Sequence, residues 1–277
     1  LILNDFFVLA SPRESCDTEC TEAEKKGYCV MAKAPTLFVV TDIETTMKKR
    51  IAFDIAWKTI DKRGREYGRG SYVIREAFRH DVPFFAEKLG HYFDDAYGHL
   101  IRPAGILDVR TEYNRQIADL QQAGHRVIPA AYNSAFDFKY LPETVSTLTG
   151  GKVTRWLDHR VELLDIWDYW GESVPRHYAD SAAASDSGKY VSTSAESAYK
   201  FEFCQAEFVE RHIAWSDVEI ESDILVRALS RKKKLPVVKS PKELAGAVWK
   251  KINTRLGIDG KSFLPQYVKP EMQAVGA

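Results

Sequence analysis

A chain of 277 residues exceeds one ordinary domain and falls short of two full ones, which predicts a single main domain with appended ends. At 45% hydrophobic and 28% charged residues it can bury a sizeable core, and no apolar run reaches the roughly 20 residues of a membrane span, so a membrane partner is excluded and a cytoplasmic setting is expected. The formal charge is zero but uneven: residues 36–230 hold 24 basic against 30 acidic residues, and residues 231–277 hold 11 against 3.

Residues 1–35 show no sustained helical or strand period and read as a leader or extension, with Met31 as an alternative start. Cys16, Cys20 and Cys29 offer three soft ligands where a structural zinc site needs four, so free thiols are expected. From Thr36 the run Leu37-Phe38-Val39-Val40 predicts a buried strand that ends in Thr41-Asp42-Ile43-Glu44-Thr45-Thr46. Strands over Ile51–Ile60 and Gly70–Ile74 follow, joined by the turn residues Lys62-Arg63-Gly64. Helical spacing covers 81–98 and 108–123, and Gly124 is placed to end the second of these. Val127–Tyr132 is a further strand, leading through Asn133-Ser134-Ala135-Phe136-Asp137 into a helix through Leu141. Gly150-Gly151 breaks the chain before a β-like segment from Val161 to Trp167; 176–192 reads as a loop, and helices are predicted over 194–209 and 213–229. The Trp-rich run Ile166–Trp170 reads as core packing. Arg231-Lys232-Lys233-Lys234 opens a basic extension, residues 231–277, with an amphipathic helix near Leu244–Leu256; it is either a phosphate-facing surface or a solvated end. A β-meander followed by alternating helix and strand predicts an α/β domain built on a central mixed sheet.

Three segments carry candidate chemistry. Asp42 and Glu44, two apart on a strand, point to one face and share one site. Two carboxylates so placed repel each other unless a cation lies between them. Asp137 follows a second strand, at the start of a helix aimed at the same sheet edge. His212 and Asp217 lie five apart, roughly 140° around a continuous helix, so they converge only if His212 is on the entering loop. Glu219, Glu221 and Asp223 share that helix as competing acids, with Asp217 preferred for its distance from His212.

Read together, D-x-E at Asp42 and Glu44, N-x-x-x-D at Asn133 and Asp137, and H-x-x-x-x-D at His212 and Asp217 resemble the DnaQ-like exonucleases of the DEDDh branch over residues 36–230. Ile213 stands where the tyrosine variant of that family needs Tyr. The resemblance implies a ribonuclease H-like fold and 3′-5′ exonuclease activity with two divalent cations, Mg²⁺ or Mn²⁺. It implies Asp42 bridging the ions, Glu44, Asp137 and Asp217 completing their shells, and His212 as general base. It also implies Thr45, Thr46, Asn133 and Phe136 at the terminal nucleotide. The expected partners are single-stranded or frayed DNA 3′ ends, with RNA ends as the alternative and a polymerase or replication protein on the C-terminal extension. A binding module that has lost catalysis is the rival from outside the enzymes.

Overall fold

The computed structural model describes residues 34–47, 49–79, 100–181, 190–244 and 248–258. The predicted helix over 81–98 and the three N-terminal cysteines lie outside these residues. Strands β1 (Thr36–Thr45), β2 (Ala52–Asp61) and β3 (Glu66–Ile74) form the predicted antiparallel meander, β3 beginning four residues earlier than its apolar run suggests. A short strand, β4 (Arg102–Ala104), pairs parallel with β3. On the other side, β5 (Arg126–Ala131) pairs parallel with β1, and β6 (Leu164–Asp165) with β5. The order β4-β3-β2-β1-β5-β6 puts β1, buried without a break from Leu37 to Thr41, in the middle of the sheet. No helix among the described residues is long and apolar enough to cross a membrane.

Helices cover both faces. α1 (Ile106–Gln122) turns Ile106, Val109, Tyr113 and Ile117 onto one face, the i, i+3, i+4 stripe of a helix packed on a sheet. Its end is a Schellman closure: Gly124 adopts φ +89°, while the Gly124 and His125 N–H groups bond back to Gln121 and Leu120. α2 (Ser134–Leu148) lies on the same face. It continues past Leu141 through Pro142, against the sequence expectation. An interior proline costs a helix about 3 kcal/mol. Burial of Leu141, Thr144 and Val145 offsets that, and the Thr144 hydroxyl accepts the Ala52 N–H at 2.8 Å. The opposite face carries α3 (Ile166–Ser173), α5 (Ala195–Phe203) and α6 (Ala214–Arg231), with α4 (Tyr178–Ser181) a single turn between the first two. The β-like segment predicted through Trp167 shrinks to two residues because Asp165 caps α3, its carboxylate taking the Asp168 N–H at 3.1 Å. Tyr169 and Trp170 are fully buried, as the core reading of that run expects. Gly70 leaves room for the Trp57 ring, which lies 2.2 Å from where a Cβ would stand.

Past Arg231 the chain returns to the body. Leu163 and Val238 exchange both backbone hydrogen bonds, and α7 (Val248–Leu256) packs against α3 with Ile252 buried beside Gly171. Several tail cations are engaged there: Arg231 with Glu202, Lys232 with Glu172, and Lys251 with Asp168. Arg255 donates to the carbonyls of Gly171 and Val174.

Candidate active site

The ladder between β1 and β5 ends at Val40 and Ala130, while β1 runs on for five more residues. Its backbone edge is therefore open beyond Val40, and the Asp137 carboxylate takes the Ile43 N–H there. This is the switch point of the sheet, where β1 leads to β2 on one side and β5 leads to α2 on the other. Phe38 and Val40 face α6, so the period of two sends Asp42 and Glu44 toward α6 as well. At Glu44 the register against β2 shifts, its partner being Asp54 while that of Thr45 is Ala52. A bulge at such a point re-aims the side chains beside it.

α6 enters from the far side. His212 lies on the loop before it, with φ +54°, followed by extended Ile213 as N-cap. That is the arrangement the five-residue spacing demands, and it brings His212 back onto the site. Ligand atoms of Glu44, His212 and Asp217 all lie within 4.8 Å of one another. Asp217, in the first turn, is buried, and its Oδ1 accepts from the Ser216 hydroxyl at 3.1 Å.

The electrostatics make one cluster of these groups. Burial, then repulsion from Glu221, Asp217, Asp137 and Glu44, holds the Asp42 carboxyl well above the usual carboxylate range. Asp137 is also raised, by burial and then by Asp165, although its own N–H and that of Ile43 favour the charged form. Burial, followed by repulsion from Glu210 and Glu44, pushes Asp217 up to about 9. Crowded, desolvated carboxylates of this kind become favourable when a cation sits among them. All are hard oxygen donors, joined by one imidazole, a set that suits Mg²⁺ or Mn²⁺. The chemistry of the donors thus fits a divalent cation, and Glu44, His212 and Asp217 are the described residues whose ligand atoms lie close enough together to hold one.

Two further carboxylates belong to the site and were not selected from the sequence. Glu221 lies one turn after Asp217 on the same helix face, is 3% exposed, and accepts the Tyr132 N–H at 3.3 Å. Its i, i+4 spacing from Asp217 was the available signal. Asp54, fully buried opposite Glu44, accepts the Ala214 N–H at 2.9 Å and so fixes the start of α6. An acid in the middle of the apolar strand Ala52–Trp57 was the signal there.

The remaining predicted residues fall in different places. Thr45 ends β1, half-buried. Thr46 is turned inward: it is 1% exposed, and its hydroxyl accepts the Ile51 N–H within the β1–β2 connection. Asn133 is exposed in a left-handed conformation at the N-cap of α2, φ +65°. Phe136 is half-buried and packs edge-on against Tyr140 with ring centroids 4.7 Å apart.

No family model matches the chain, and no curated protein does. Among solved structures it is similar to E. coli exonuclease I in complex with a dT13 oligonucleotide, at 14% identity and a TM-score of 0.45, over 72% of this chain and 42% of that one. The same enzyme in complex with a dA16 oligonucleotide gives 15% identity and a TM-score of 0.42, over 72% and 41%. The aligned region therefore spans less than half the length of those proteins.

Proposed function

We propose that this chain is a metal-dependent 3′-5′ exonuclease of the DEDDh type, hydrolysing the terminal phosphodiester of single-stranded or frayed DNA and releasing nucleoside 5′-monophosphates. The observation that carries this reading is the meeting of acids from β1, α2 and α6 beside one histidine, with Glu44, His212 and Asp217 within 4.8 Å. Asp42, Glu44, Asp137 and Asp217 would hold two Mg²⁺ or Mn²⁺ ions, which would supply charge stabilisation for the attacking and leaving oxygens of an in-line displacement. His212 is exposed at the mouth of the site and takes the proton of the attacking water on an imidazole nitrogen, the role of a general base. Phe136 and Tyr140 offer ring faces for a terminal base, and Asn133 and Thr45 border it. In the C-terminal segment Arg231, Lys232, Lys251 and Arg255 make internal contacts, while Lys233, Lys234, Lys239 and Lys242 are exposed, and no polymerase is assigned to it.

The test is digestion of matched 5′-labelled DNA and RNA oligonucleotides with Mg²⁺ or Mn²⁺. Wild-type chain should shorten DNA from its 3′ end; Asp42→Ala should abolish the ladder, and His212→Ala should slow it by about 10²–10⁴-fold. Attack on RNA alone would replace this reading with an RNA-trimming one. Binding without digestion under both metals would mark a silent module.

A further inference from the structure

His212 holds a left-handed backbone conformation that disfavours a residue bearing a Cβ by roughly 1–2 kcal/mol, so something must keep its loop in place. Packing gives little support from one side. A cleft of about 300 Å³ lies between the loop and α6, lined by Phe208, Val209 and Arg211 from the loop and by Tyr199, Ser216 and Ile220 opposite. Val209 is 70% exposed.

Backbone N–H groups on each side of His212 instead end on carboxylates. Downstream, Ala214 donates to Asp54 at 2.9 Å. Upstream, Glu210 donates to Glu196 Oε2 at 3.0 Å. Glu196 lies in the first turn of α5, and its other oxygen is held by Lys200 Nζ at 2.6 Å, one helical turn on. The carboxylate is thus fixed by its own helix before it takes the loop amide. Burial raises the Glu196 carboxyl, but Lys200 and the Glu210 N–H outweigh it and bring the group below its usual range.

We propose that Glu196 is a positioning residue for His212: with Asp54 it pins both ends of the bridge from Glu210 to Ala214 and so holds the imidazole against Glu44 and Asp217. This rests on His212 serving the carboxylate site as proposed above. The bland alternative is that Glu196 forms only a surface pair with Lys200.

Two variants of the full chain separate these. Glu196→Ala removes the acceptor; Glu196→Gln keeps an oxygen for the Glu210 N–H. Three readouts apply: hydrogen exchange at the Glu210 amide, the ring resonances of His212, and kcat and KM on single-stranded DNA with Mn²⁺. Glu196→Ala should speed Glu210 exchange and lower kcat, each by about ten-fold, with KM almost unchanged, the worth of one hydrogen bond to a charged group. It should also shift the His212 ring resonances, and Glu196→Gln should restore all three. Unchanged Glu210 exchange in Glu196→Ala overturns the proposal, as does faster exchange with kcat intact. If wild-type chain digests nothing, the exonuclease reading fails separately. The His212 resonances then decide the anchorage, and a spectrum insensitive to Glu196→Ala overturns it.

Discussion

Asp217→Asn should make the metal-free protein more stable while removing its activity. Below a pH of about 4 the Asp217 carboxyl is protonated whether the chain is folded or not, and the substitution is neutral. As pH rises past the ordinary value of 3.8, the unfolded chain releases this proton while the folded chain keeps it, up to about 9. Each pH unit in that window takes about 1.4 kcal/mol from the folded state, which accumulates to about 4 kcal/mol at pH 7. Water entering the cleft screens part of this, and the expected gain from Asn is about 2 kcal/mol. For a protein of this size that is about 4–8 °C in Tm. Saturating Mn²⁺ should reverse the order, because wild type gains about 2.7 kcal/mol at a hundred times its Kd and the variant gains less. Calorimetry at pH 5, 7 and 8, in chelator and in Mn²⁺, measures both arms, and Glu221→Gln, which keeps an acceptor for the Tyr132 N–H, should behave alike in chelator. A variant that melts below wild type in chelator at pH 7, or a gap that does not widen with pH, refutes the crowded-carboxylate account.

Asp54→Ala strips the acceptor from the first turn of α6 and should lower stability by about 1–3 kcal/mol in urea titrations, with faster exchange at Ala214. Gly70→Ala drives a methyl into the Trp57 ring and should destabilise by about 1–3 kcal/mol, read as a lower midpoint in the same titration. Arg255→Ala should lower stability by about 1 kcal/mol through its lost carbonyl contacts while leaving the salt dependence of DNA binding unchanged; a shallower salt slope would restore a phosphate role to the tail.

What could be read in advance was whatever depends on local periodicity. Strand alternation alone put Asp42 and Glu44 on one side, and the spacing of His212 and Asp217 required a loop-then-helix entry, which the backbone adopts. The depth of a side chain is different, because it is set by the partner layer. Of Glu219, Glu221 and Asp223, only the spacing of Glu221 from Asp217 set one apart in the sequence, and Glu221 is the one buried, under the end of β5. In the same way the helix read through Leu141 runs on past Pro142, carried by burial of the residues beyond it. For the basic tail, a charge count carries no information on pairing. Glu172, Asp168 and Glu202, far away in sequence, meet three of its cations.

The acids come from positions as far apart as Asp42 and Asp217, and the last of them stand on a helix whose entering loop is tied by an amide-to-carboxylate contact at each end. Such an entry can open without disturbing the central strands. On gentle heating, competence for chemistry should therefore fade while the sheet still gives its full spectroscopic signal, and it should return on cooling without any refolding of the core.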